Sequence, residues 1–342
     1  MSAVPQFMST RTRREDSWRG VILFGRNVAT YKFCVARALL ELAPSEGQLL
    51  KLDELAVPYS RHLCEHLRHS SKQGTFSTSR FLDACRQANE GGLSPGKLIE
   101  ATVRFGFENV IDAFHIVARK PVPERFFVDE RATHGGIRIT EAFSRLLCGL
   151  HADNLSSEVE SRWRLTETAF ALNVCRSLIM VRHDSETQSL FVVDPTRRRR
   201  SITGAREALS GYQKGHCFYC FEPFSLSGFS RPDVDHFFPH CLQVIDLGAV
   251  LDGVWNLVLA CRDCNRGAGG KSDRIPTLEL LQRLHTRNEF LIASHHPLRE
   301  TLLRQTGVNV EARRGFLNSV HSTACAALFH QWRPEERGEA LF

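Results

Sequence analysis

The sequence predicts a mainly α protein with small β-hairpins, made of a helical N-terminal domain, a zinc-stabilised core and a helical C-terminal region. Three observations carry that expectation. Apolar residues recur at three- and four-residue spacing through most of the chain, the period of an amphipathic helix. The β-rich runs are short and lie on either side of turn residues. Two CxxC pairs frame a segment too short to build a hydrophobic core of its own. The expected regions are a disordered basic tail over 1–16, a mostly helical recognition or regulatory domain over 17–195, the zinc core over 196–275 and helices over 276–342. A chain of 342 residues supports two or three such cores. With 42% apolar and 24% charged residues it has the composition of a globular protein rather than a disordered one. No apolar run reaches the ~18 residues of a membrane span.

In chain order, the helical period runs from Trp18 to Leu42 with an interruption at Gly25 and a restart expected at Arg26–Asn27. Further helices are expected over Leu52–Arg68, over Thr78–Asn89 with Thr78 or Ser79 as cap, and over Lys97–Val117. Gly91–Gly96 is a turn. The runs Arg125–Val128 and Ile137–Thr140 suggest one hairpin, and Leu178–His183 with Ser189–Asp194 a second. Helices return over Glu141–Leu150, Ser156–Leu172 and Gly204–Tyr212. Beyond the core they return over Pro276–Phe290 with Pro276 as the first helical residue, His295–Gly307 and Asn309–Trp332.

The stretch Cys217–Asp273 carries the chemistry. Cys217, Cys220, Cys261 and Cys264 have the spacing of two zinc knuckles, so a structural Zn2+ bound by four thiolates is expected. Eleven cysteines in one chain suit a reducing compartment, with the remainder as small buried residues or thiols. The N-terminal stretch is basic without an apolar h-region, and the cytoplasm is the expected location. Between and after the knuckles stand Asp235-His236 and two asparagines, Asn256 and Asn265. These groups suit a lightly held hard divalent ion and a general base. Asp235 and His236 are neighbours, so a regular strand would face them oppositely. Asp233 and His240 are further candidate ligands.

The combination of CFYC, DVDHFFPH and WNLVLACRDCNRGAGGKSD resembles the HNH, or ββα-metal, endonucleases over about residues 210–275. It is similar to their zinc-knuckle branch, and its DVDH and CNRG…KSD elements are similar to the HNH domain of Cas9-type effectors. The resemblance implies a β-hairpin followed by a helix, with zinc pinning the strand ends to the helix. It implies His236 as general base, Asp235 and Asn265 as ligands of Mg2+ or Mn2+, and Asn256 as the residue that holds the loop positioning His236. The substrate would be DNA, nicked by a single site, and bacterial antiphage defence or restriction would be the setting, as for Zorya-type HNH nucleases. Other proteins of such a system would then be partners. No membrane partner is expected.

The formal net charge of +6 permits a phosphate-backbone partner without establishing one. Candidate phosphate contacts are the run Arg197, Arg198, Arg199 and Arg200, and beyond the knuckles Arg266 and Lys271. Two other readings remain open at this stage: a zinc-stabilised nucleic-acid-binding module without catalysis, and an RNase. Nothing in residues 17–195 carries a recognisable chemical constellation. That domain is expected to gate the nuclease.

Overall fold

The structure is a computed structural model that describes residues 14–341 apart from 26–27, 77, 118, 150, 172–180, 185, 194–198, 228–230, 245–249 and 294–297. The chain forms two compact units, Thr12–Val174 and a second that runs from Cys175 to the C-terminus. The hairpin expected at the end of the helical domain therefore belongs to the second unit, and the zinc core and C-terminal helices fold as one body with it.

In the first unit, α1 (Arg14–Phe24) starts inside the expected tail and buries Trp18, Val21 and Ile22. Gly25 ends it, because a Cβ there would stand 2.5 Å from the Val21 carbonyl oxygen. The expected restart at Arg26–Asn27 lies outside the described residues, and α2 spans Tyr31–Leu42. After β1 (Leu49–Lys51), α3 (Leu52–His69) opens with the Lys51 amide donating to the Glu54 carboxylate at 2.8 Å. Its buried face, Leu55, Tyr59, Leu63 and Leu67, keeps the spacing read from the sequence. In α4 (Arg80–Asn89) the cap is Ser79, whose hydroxyl accepts from the Leu82 amide at 3.3 Å.

The helix expected over Lys97–Val117 is broken. It becomes α5 (Pro95–Ala101), a π-helical turn over Thr102–Gly106, a short helix over Val110–Ala113 and an edge strand, Ile116–Val117, paired with Lys120–Pro121. Apolar spacing alone cannot separate one helix from such fragments. The first hairpin is present as β2 (Phe127–Glu130) and β3 (Gly136–Ile139), and β1 adds to β3 as a third strand. The long helix α6 (Ala152–Ala171) packs on α2.

Polar groups lock this helical core. Arg19 donates to both carboxylate oxygens of Glu158 at 2.8 and 3.0 Å, and both residues are buried. The Gln73 side chain accepts from Thr30 and Trp163 and donates to Glu167. His66 stacks on Trp163 with ring centroids 3.5 Å apart and lies 2.7 Å from Glu167 and 3.2 Å from Glu160.

In the second unit, β4 (Arg182–Asp184), β5 (Ser189–Val193) and β6 (Arg199–Gly204) form a small antiparallel sheet that leads into α7 (Ala205–Gln213). Then β7 (Asp233–His236) pairs antiparallel with β8 (Leu257–Ala260), His236 opposite Leu257 and Asp235 opposite Val258, and α8 (Arg262–Arg266) follows. All four residues of β8 are buried. Pro276 proves to be a strand residue: β9 (Ile275–Pro276) pairs parallel with β10 (Gln331–Trp332). Between these strands lie α9 (Leu278–Ala293), α10 (Arg299–Thr306) and α11 (Val310–Ala327). Helix α9 buttresses the hairpin through Arg287, 2% exposed, which donates to the carbonyls of Leu257 and Trp255 at 2.8 Å each. Arg283 does the same for Phe218 and Tyr219 in the first knuckle. No helix among the described residues is long and apolar enough to cross a membrane.

His66 makes the stability of the helical unit pH-dependent. Burial opposes its charge, but Glu160 and Glu167 outweigh burial and raise its pKa to about 9. A raised folded-state pKa stabilises fully below the unfolded value of ~6.5 and the benefit is lost as pH rises through about 9. Thermal melts of the full chain are expected to fall between pH 6.5 and 9.5 by an amount of order 3 kcal/mol at most, and His66→Gln is expected to flatten that slope. A wild-type slope retained in the variant would assign it to other groups.

Candidate metal centre and active site

The knuckles come together as their spacing requires. The four sulfurs of Cys217, Cys220, Cys261 and Cys264 lie within 4.8 Å of one another. A tetrahedron of ~2.3 Å zinc–sulfur bonds has edges of ~3.8 Å, and the Cys220 and Cys261 sulfurs are 3.7 Å apart. The Cys261 amide donates to the Cys217 sulfur at 3.3 Å. Hydrogen bonding with Cys217 draws Cys220 and Cys261 below the usual thiol value, Cys261 to about 6. Burial lifts Cys217, and the sulfur of Cys217 lifts Cys264. Thiols this close cannot all ionise unless a cation shares their charge, so the donor set fits a thiophilic metal such as zinc. The C-terminal segment seals the first knuckle: the amides of Arg337 and Gly338 both donate to the Cys220 carbonyl at 3.0 Å. The Arg337 guanidinium joins Glu222 and Asp263, one carboxylate beside each knuckle.

Strand β7 sorts the remaining candidates onto two faces, since alternate side chains of a strand point to opposite sides. Asp233 and Asp235 share one face, and His236 stands on the other. Asp235 is 7% exposed and accepts from the Tyr219 hydroxyl at 2.6 Å, with Lys271 Nζ 3.3 Å from its other oxygen. Burial pushes its carboxyl above the ordinary range, and Lys271 and Tyr219 pull it back. Lys271 arrives there through the glycine loop after α8. Its amide donates to the Cys264 carbonyl at 2.6 Å, and the Ser272 amide to the Asn265 carbonyl at 2.9 Å. A Cβ on Gly267 or Gly270 would stand 2.6 Å from the Asp263 carbonyl oxygen, so the return loop needs both glycines.

Asn265 does not reach toward Asp235. Its amide donates to Asp233 at 3.0 Å, and Arg266 holds the same carboxylate at 3.1 Å. Asn265 thus presents its side-chain nitrogen to Asp233, and Asp235 lies deeper on the same face of the strand. Carboxylate and amide oxygens are the donors that Mg2+ or Mn2+ takes, but here Asp235 is held by Tyr219 and Lys271, and Asp233 by Arg266 and the Asn265 nitrogen. Asn256, fully buried, accepts from the Phe238 amide at 2.8 Å and donates to the carbonyls of Phe238 and Leu251 at 3.1 and 2.9 Å. It thereby ties the segment leaving His236 to the segment entering β8.

His236 faces an imidazole-rich pit. The His183 ring on β4 lies 5.8 Å from its centroid and the His240 ring 5.5 Å. Asp252 Oδ1 stands 3.7 Å from His236 Nε2 and 3.6 Å from His240 Nε2. The Nε2 atoms of both His183 and His236 are buried with no hydrogen-bond partner among the described residues. Burial, and then the charges of His183, His240 and Lys271, lower the His236 pKa to about 4. Its imidazole is neutral at pH 7.

The other expected contacts are placed differently. Lys271 is 1% exposed and is the partner of Asp235 rather than a surface cation. Arg199 and Arg200 lie on β6 opposite Val193 and Val192, while Arg197 and Arg198 lie outside the described residues. Arg266 is 63% exposed. The sequence reading missed His183, Asp252 and Tyr219. His183 ends an apolar run and Asp252 sits in a glycine-flanked turn, so neither has a local signal. Tyr219 lies inside the first CxxC, where a polar handle on an apolar knuckle was the available hint. Compared with known proteins, the chain matches no family model, no curated sequence and no solved structure.

Purified chain is expected to hold one zinc ion per molecule by metal analysis, and to lose cooperative melting on chelation or in Cys264→Ser. An unchanged melt after complete chelation would show that the thiols carry no structural metal. Asn256→Ala removes three buried hydrogen bonds at ~1 kcal/mol each, so denaturant unfolding is expected to show a loss of about 3 kcal/mol; a loss near zero would mean that the loop holds without it.

Proposed function

We propose that the chain is a metal-dependent endonuclease of HNH type that hydrolyses DNA phosphodiester bonds. The observation that supports it best is the His236 imidazole: neutral, buried, and with an Nε2 that no described residue satisfies, on the strand that also carries Asp233 and Asp235. A buried ring nitrogen left without a partner costs free energy unless a ligand or water meets it. A neutral imidazole in that position is equipped to take a proton from water.

His183 completes the arrangement. If its Nε2 carries the proton, a water between the rings accepts from His183 and donates to His236. The water oxygen then forms a bond to phosphorus while its proton passes to His236 Nε2. The bond from phosphorus to the 3′-oxygen breaks, and the departing oxygen takes a proton from solvent. Mg2+ or Mn2+ would supply Lewis-acid stabilisation of the leaving charge; Asp233, Asp235 and Asn265 would be the residues to hold it, and because the two carboxylates stand on the face of β7 opposite His236, the phosphate would have to reach both sides around the end of the strand. Lys271 offsets part of the burial that raises the Asp235 carboxyl, and Asn256 fixes the loop beyond His236. One such site cuts one strand, so the product is a nick. Antiphage defence or restriction in the cytoplasm is the setting that the sequence resemblance suggests, with other proteins of that system as partners.

Supercoiled plasmid incubated with the protein in Mg2+ or Mn2+ is expected to convert to open circle. His236→Ala is expected to lower the rate by ~10²–10⁴, and His183→Ala by about tenfold or more. Absence of cleavage by the wild type, with retained DNA binding, would favour a binding module, and preferential cutting of RNA would make the chain an RNase.

A further inference from the structure

The helical unit holds a second polar constellation, remote in sequence from the knuckles and independent of the nuclease proposal. Two adjoining hollows of about 440 and 390 Å3 share Tyr31, Phe76 and Asn109 in their walls. Their size suits a drug- or nucleotide-sized molecule. Arg80 and Arg104 line one, and Lys32 lines the other.

We propose that this double hollow binds a nucleoside monophosphate or a closely similar aromatic organic phosphate. Three cationic residues line it, and none makes an ion pair or side-chain hydrogen bond among the described residues; the Lys32 ammonium stands beside Gly25. Arg80 and Arg104 both lie over the Phe105 ring, 5.4 and 5.1 Å from its centroid. Lys32 is only 5% exposed. An ammonium buried without a counter-ion is costly, and burial lowers its pKa to about 8. Glu108, the one carboxylate in the lining, bonds none of the three. The N-terminus of α4 opens on the same hollow through Ser79 and Arg80, and its unpaired amides favour an anion.

The backbone points the same way. Arg104 and Phe105 sit on the π-helical turn Thr102–Gly106, a rare conformation that recurs at functional sites. Tyr31, held by its hydroxyl against Ser79 at 2.8 Å, and Phe76 lie with ring centroids 6.2 Å apart and supply the apolar walls that a base would occupy. The depth of Lys32 separates this site from a DNA-backbone contact: a duplex phosphate reaches surface arginines but not a lysine buried to this extent.

The test is calorimetric titration of the full-length protein with the four ribonucleoside 5′-monophosphates, with inorganic phosphate and with adenosine. At least one nucleotide is expected to bind saturably and at least tenfold more tightly than phosphate or adenosine. Arg104→Ala, at an exposed position that leaves the fold intact, is expected to weaken it at least tenfold, and Lys32→Met to do the same with an unchanged zinc content. Failure of all four nucleotides to bind would overturn the proposal. Equal affinity for inorganic phosphate would also overturn it, leaving an anion site alone. So would displacement of the nucleotide by a short DNA duplex, which would make the arginines backbone contacts. Plasmid nicking by Arg104→Ala reports on the nuclease proposal separately, because Arg104 lies outside that machinery.

Discussion

Four sulfur atoms held within 4.8 Å of one another set the terms for the second unit. Thiolates at that distance repel and thiols at that distance shift one another's protons, so the cluster has the form of a shell that could hold a thiophilic cation. The hairpin and α8 hang from it. Cys261 caps that helix and Cys264 lies inside it, so the residues that could hold a metal also fix where Asn265 stands. A five-residue helix has too few hydrogen bonds to persist alone, and an ion held by the four cysteines would supply what its length does not.

Alternation along β7 then divides the labour. Two carboxylates occupy one side, and the imidazole occupies the other with His183, His240 and Asp252. The hard-oxygen face is satisfied by Lys271, Tyr219, Asn265 and Arg266, whereas the imidazole face retains two ring nitrogens without partners.

The knuckles, the short strand around Val234 and the small helix after Cys264 were legible because each depends on near neighbours in sequence. Spacing alone placed the four cysteines. Two kinds of feature were not legible. His183 and Asp252 join His236 through sheet pairing and a turn, which no local pattern encodes. The segment Lys97–Val117 has an apolar period that satisfies a helix, yet tertiary packing divides it into a helix, a π-helical turn and an edge strand. The role of Lys271 was misread for a related reason: a lysine after two glycines looks solvent-bound until the glycines fold the loop back onto Asp235. Helix stripes elsewhere, as in α3, were read with nearly the observed limits because burial follows their period directly, whereas the helix expected to run to Trp332 ends at Ala327 and Gln331–Trp332 form a strand.

The seal over the first knuckle has a consequence for biosynthesis. Arg337 and Gly338 close on Cys220 from more than a hundred positions downstream, and Arg337 clasps a carboxylate beside each cysteine pair. While residue 337 is still inside the ribosome, the metal shell lacks its clasp and the β10 strand that pairs with β9 is also missing. A nascent chain can thus assemble its helical unit early, as domains generally fold in the order in which they emerge. The first knuckle therefore gains its clasp, and β9 its partner strand, only after residue 338 has left the ribosome.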